Sequence, residues 1–126
     1  MSLKTPLGQV LGLGSAKDGT GHWWMQRLSA VALIPLGLWF AVSLLALPEL
    51  DYATVRVWIA EPLSSIGLVL FIVAAGYHSM LGLQVVVEDY VHTPWLEVGM
   101  HLLIKLFALL GALVTTLAIL RITFGG

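Results

Sequence analysis

The sequence predicts an all-α membrane protein of three transmembrane helices, on three observations. Of its 126 residues, 59% are hydrophobic and only 10% are charged, against about 25% charged in an ordinary soluble domain. Mean hydropathy is +0.95. The apolar residues are gathered into three runs, each as long as the roughly 20 residues a helix needs to cross a bilayer.

The first run, Leu28 to Leu47, has no formal charge and closes at Pro48. More than twenty residues precede it and no small-residue cleavage site follows, so it reads as a span and not as a secretory signal. Pro35 and Gly37 interrupt it without suggesting a role. The second run, Pro62 to Val87, is also free of formal charge. The third, Val98 to Leu120, carries Lys105 in its second turn. A lysine near a helix end can lead its ammonium back to the interface. None of the runs alternates as a strand would. With no repeat and no linker, residues 1–126 read as one domain of three membrane-spanning helices, in which residues 1–24 form a cytoplasmic N-terminal segment.

Composition also excludes. The chain has no cysteine, so it offers no disulfide, no thiolate nucleophile and no sulfur ligand for zinc or an iron–sulfur cluster. A net charge of -1 is wrong for a strongly basic nucleic-acid binder. Lys4, Lys17 and Arg27 precede the first span, whereas Arg56 alone is basic between the first and second. The positive-inside bias therefore puts the N-terminus in the cytoplasm, with the Glu88–Glu97 segment on the same side and Arg121 outside. Asp18 among the early residues, and the lack of an Arg-rich amphipathic pattern, argue against a transit peptide. Trp23, Trp24 and Trp95 fall at one expected interface and Trp58 near the other, as in an aromatic belt.

Within the second run stands His78. It lies nine residues from the expected cytoplasmic end, about 13 Å deep. A polar side chain at such depth faces protein or a cofactor. Two readings are open: a neutral imidazole hydrogen-bonded to a neighbouring helix, or an axial ligand to haem iron. Gly82, one turn further on the same face, leaves room for a flat ring against the backbone. Gly76 and Ser79 are small enough to let helices or a cofactor come close. A second ligand within this chain would be His22, His92 or His101. The first two lie outside the expected spans, and His101 sits about 9 Å nearer the cytoplasm than His78. If His78 binds haem, the opposite ligand is expected from another chain.

Asp89 follows His78 by eleven residues. That places both on nearly one helix face, about 16 Å apart. Tyr90 is next. A phenol and a carboxylate at the interface could bond a ligand's carbonyl and pass protons, or could simply be solvated groups at a helix end. Arg27, at the start of the first span, suits a carboxylate such as a haem propionate, or serves as a positive-inside anchor. Glu97, His101 and Lys105 form an i, i+4, i+8 stripe that reads as mutual pairs.

Two segments carry a resemblance. "GSAKDGTGHWWMQRLSAVAL" (14–33) and "YHSMLGLQVVVEDYVH" (77–92), with the three-span layout, resemble the hydrophobic membrane anchor family of succinate dehydrogenase, respiratory complex II, in its alphaproteobacterial form. The specific part is a His followed by Gly at i+4 and Asp-Tyr at i+11 and i+12. The resemblance implies a haem b shared between two membrane subunits, with His78 one axial ligand. It implies Tyr90 at the ubiquinone site with Asp89 in support, and Arg27 near the haem propionates and the quinone pocket. It implies a second anchor, the cytochrome b556 subunit, which completes a haem-binding helical bundle. It also implies a flavoprotein with FAD, an iron–sulfur subunit, and electron transfer from succinate to ubiquinone at the bacterial inner membrane. On this reading the chain itself does not touch succinate. Two alternatives stand: the anchor of a fumarate reductase or another b-type cytochrome, and a haem-free structural anchor. A small transporter is disfavoured by three spans without half-helices or an intramembrane carboxylate.

Overall fold

The structure is a computed structural model that describes residues 6–10 and 19–125, with the backbone alone at positions 8, 9 and 19. Lys4 and Lys17, used above for orientation, and Asp18, used above against a transit peptide, lie outside the described residues. Five helices occur among those described: α1 (Pro6–Val10), α2 (Gly19–Ala46), α3 (Tyr52–Ala60), α4 (Pro62–Tyr90) and α5 (Pro94–Thr123). Three of them, α2 from Thr20, α4 and α5, are long and apolar enough to cross a membrane.

The three long helices outrun the expected spans at four of their six ends. α2 starts nine residues before Leu28, α4 continues through Asp89 and Tyr90, and α5 covers Pro94–Thr123. Hydropathy marks where side chains leave hydrocarbon. The backbone ladder does not stop there, because each further residue adds a hydrogen bond to an existing helix. Pro62 and Pro94 open α4 and α5, where a missing N–H costs nothing. α2 carries Pro35 within one unbroken helical assignment.

The stretch between the first two spans, expected as a plain connection, contains α3. Asp51 caps it: its carboxylate accepts the Thr54 N–H at 2.8 Å. Bonds from Thr54 hold the Asp51 carboxyl below its ordinary value. At nine residues with no buried side chain, α3 is too short to register as a hydrophobic segment.

α4 lies in the middle. α2 packs on one side of it and α5 on the other, while the α3 backbone runs close to α4 and α5; the backbones of α2 and α5 do not approach each other among the described residues. Four meetings set the antiparallel register of α2 on α4. Phe40 stacks on Phe71 with ring centroids 5.0 Å apart. Trp39 lies over Gly67, Ser29 meets His78, and Gln26 lies beside Gly82. Trp58 of α3 joins Trp39 at 6.1 Å and Phe40 at 6.2 Å. The core is thin: Leu68, Leu81, Val87 and Ile119 are its buried hydrophobics among the described residues, while side chains such as Leu38 and Phe107 are exposed. A row of three helices leaves both broad faces uncovered. Lipid tolerates this, since acyl chains are as apolar as leucine.

Candidate functional site

His78 projects from α4 toward α2, where its Nδ1 lies 3.0 Å from the Ser29 hydroxyl. Ser29 is buried, and its hydroxyl donates to the Gln26 carbonyl at 2.9 Å. The plainer of the two readings of His78, a hydrogen bond to a neighbouring helix, is therefore present at one ring nitrogen. The other, Nε2, has no protein partner among the described residues.

The small residues around His78 do not share one face. A Cβ at Gly82 would lie 3.7 Å from Gln26 Nε2, so the Gln26 side chain is the nearest group to this bare stretch of α4. Gly76 and Ser79 face the other way. With Met80, Leu83, Met100 and Phe107 they line an apolar groove of about 430 Å³ between α4 and α5. A second groove, about 580 Å³, runs between α2 and α4 past Ser29, Pro35, Leu36, Val73 and Tyr77.

The other histidines stay apart from His78. His92 is exposed in the short connection after α4. His101 Nε2 lies 3.9 Å from Glu88 Oε1, beyond hydrogen-bond range. Glu88 is ten residues past His78 on one helix, so His101 sits about 15 Å from His78 along the axis, further than the sequence suggested. The expected Glu97–His101 pair does not form among the described residues; His101 turns to Glu88 instead. No group of three or more His, Cys, Asp or Glu able to hold a metal ion occurs among them. Among the described residues, three polar side-chain atoms are buried without a partner: His22 Nε2, Gln26 Oε1 and His101 Nε2. His22 and Gln26 lie one turn apart on one face of α2.

Arg27 departs from expectation. It stands in the third turn of α2 and not at its opening. Its neighbours Gln26 and Ser29 meet Gly82 and His78, so Arg27 is level with α4 between those two residues. That is at least about 12 Å along the axis from Tyr90. Arg27 is thus near the His78 level and away from Tyr90. Its guanidinium lies 5.3 Å from the centre of the Trp23 ring, a cation–π distance. Asp89 and Tyr90 form the last turn of α4, with Tyr90 81% exposed. Sequence reasoning missed Ser29 and Gln26. Their signal was available: two polar residues three apart, at and just before the opening of an apolar run.

A row of spans with a thin core, one partnered histidine inside it and unpartnered polar atoms toward one end describes a membrane anchor. The sequence pattern of the succinate dehydrogenase/fumarate reductase transmembrane subunits matches residues 1–119, and the chain belongs to that family. It is 37% identical over 98 residues to the succinate dehydrogenase hydrophobic membrane anchor subunit of Rickettsia bellii, covering 77% of this chain and 78% of that one. The protein of the same name from Paracoccus denitrificans is 30% identical over 86 residues, 68% of this chain and 67% of its own. The succinate dehydrogenase membrane anchor subunit of Reclinomonas americana is 31% identical over 97 residues, 74% and 80% respectively. No solved structure matches the chain. With its three spans, the chain is a multi-pass membrane protein of the bacterial inner-membrane type.

Proposed function

We propose that this chain is the membrane anchor of a succinate:ubiquinone oxidoreductase, that it gives one axial ligand to a haem b, and that it forms one wall of the ubiquinone site. The observation that carries the reading is His78, held through Nδ1 to Ser29 with Nε2 unpartnered, and with no second histidine of the chain near its level. A neutral imidazole is a donor suited to haem iron. One such donor, in a chain whose broad faces are open, fits a group shared with a second anchor protein. When bound, haem supplies one-electron redox chemistry. Arg27, near the His78 level, would pair its guanidinium with a propionate. At the cytoplasmic end of α4, the exposed Tyr90 hydroxyl donates to a quinone carbonyl and Asp89 holds or passes a proton there. The flavoprotein with FAD, the iron–sulfur protein and the cytochrome b556 subunit are the partners. The curated relatives named above all carry the succinate dehydrogenase name, which favours that direction over a fumarate reductase.

The test is a dithionite-reduced minus oxidised spectrum of the complex purified through this chain, wild type beside His78→Ala. The expected result is a b-type α-band in the wild type that is lost in the variant, with a flavoprotein and an iron–sulfur protein co-purifying. A wild-type complex without the band makes the Ser29–His78 bond the whole role of His78, and leaves a haem-free anchor.

A further inference from the structure

We infer that Ser29 is a positioning residue for His78: its hydroxyl, anchored on the Gln26 carbonyl, fixes the imidazole with its proton on Nδ1 and so keeps Nε2 open to iron. The inference rests on the reading of His78 as a haem ligand and assigns a residue of another helix to that ligand.

The argument is a proton count. A serine hydroxyl has one proton and two lone pairs. Two acceptors lie within reach of Ser29: the Gln26 carbonyl at 2.9 Å and His78 Nδ1 at 3.0 Å. A serine inside a helix commonly bonds back to the carbonyl three or four residues earlier, and Ser29 does so. With its proton committed there, Ser29 shows only lone pairs to His78. The Nδ1 atom must then be the donor. A neutral imidazole carries one N–H, so Nε2 holds a free pair directed away from Ser29. The opposite arrangement, Ser29 donating to Nδ1, puts the proton on Nε2. It abolishes the ligand and leaves an N–H inside the membrane span with no partner among the described residues, which is costly in hydrocarbon.

The relay therefore runs from the His78 Nδ1–H to Ser29 Oγ, and from the Ser29 O–H to the Gln26 carbonyl. It ties ligand geometry on α4 to the backbone of α2. Ligating histidines generally use their second nitrogen in this way, which fixes the tautomer and raises the basicity of the ligating nitrogen.

The test uses the assembled complex with three variants: Ser29→Thr, Ser29→Val and His78→Ala. Threonine and valine have nearly one shape and differ by the hydroxyl, so packing effects cancel between them. The readouts are haem per flavin after detergent exchange, the electron paramagnetic resonance of the ferric haem, and its midpoint potential, each taken per assembled complex. In Ser29→Val, haem retention falls about 10- to 100-fold, the low-spin signal shifts and the potential rises as the ligand loses basicity. Ser29→Thr keeps the wild-type values. Threonine and valine variants that behave alike, both as wild type or both shifted, overturn the role of Ser29. A His78→Ala complex with an unchanged haem signal overturns instead the ligand assignment beneath it. The two failures are told apart within one set of samples.

Discussion

The two ends of the α2/α4 seam are built on opposite terms. At one end Trp39 lies over Gly67, Phe40 stacks on Phe71, and Trp58 closes the group from α3. Those aromatic contacts are apolar and made within the chain. At the other end stand His22, Gln26, Ser29 and His78. One bond, Ser29 to His78, is closed, while His22 Nε2 and Gln26 Oε1 are buried without partners. Between helices in lipid, close packing does the work that water does in a soluble core. The aromatic end is therefore complete as it stands. Each unpaired buried polar atom costs about 1–3 kcal/mol, so the polar end is complete only when a neighbour supplies what it lacks. The chain is closed by its own packing at one end and leaves polar atoms unpartnered at the other.

The closed end is the one a single substitution should damage most. A Cβ placed on Gly67 would lie 2.5, 2.8 and 2.9 Å from three carbons of the Trp39 ring. Such a contact forces the ring to shift, and Trp58 lies beside that ring at 6.1 Å. Gly67→Ala should cost about 1–3 kcal/mol by overpacking, and Gly67→Leu should leave no assembled complex in the membrane. Trp39→Phe, which shortens the ring, should restore much of what Gly67→Ala loses, as contacting sites couple. Thermal unfolding of the purified complex measures both. Additive losses in the double variant would mean that the seam is loose there, and the contrast between the ends would fail.

The next effect belongs to the open end. Tyr90→Phe removes one hydroxyl from an exposed position in the last turn of α4. If that hydroxyl bonds a quinone carbonyl, ubiquinone reduction falls about tenfold or more while succinate oxidation by a soluble dye continues. Equal loss of both rates would show damage to the complex and not to a quinone site. Because Arg27 lies at least about 12 Å along the axis from Tyr90, Arg27→Gln should disturb the haem spectrum more than quinone affinity.

What could be read in the sequence divides along the same line. The three spans follow from apolar runs, because a helix in lipid must satisfy its own backbone and be apolar for about 20 residues. His78 was legible as a costly polar group at depth. Its partner was not, since Ser29 is 49 residues away and only the register of α2 on α4 brings them together. Gly82 looked like space, and Gln26 stands beside it, because a missing side chain says nothing of what a neighbouring helix puts there. Arg27 was placed by the edge of a hydrophobic run, but the helix begins nine residues before Leu28. α3 escaped notice because nine residues with no buried face leave no period to detect.

The smallest effect lies at the cap of α3, the helix whose Trp58 closes the aromatic end. The Asp51 carboxylate accepts from Thr54, and those bonds hold its carboxyl below the ordinary value of 3.8. A carboxyl with a lowered value in the folded state favours folding above the ordinary value and loses that contribution as pH falls through the folded one. Asn is also a good cap but carries no charge at any pH. In membrane vesicles that expose this loop, an acid-active protease should cut Asp51→Asn slightly faster than wild type near neutral pH. The ratio of the two rates, which cancels the protease's own pH dependence, should approach one as pH drops below 3.8. A ratio that stays constant with pH would show that the cap works by shape alone. It would also show that the aromatic end owes its closure to packing, with no help from charge.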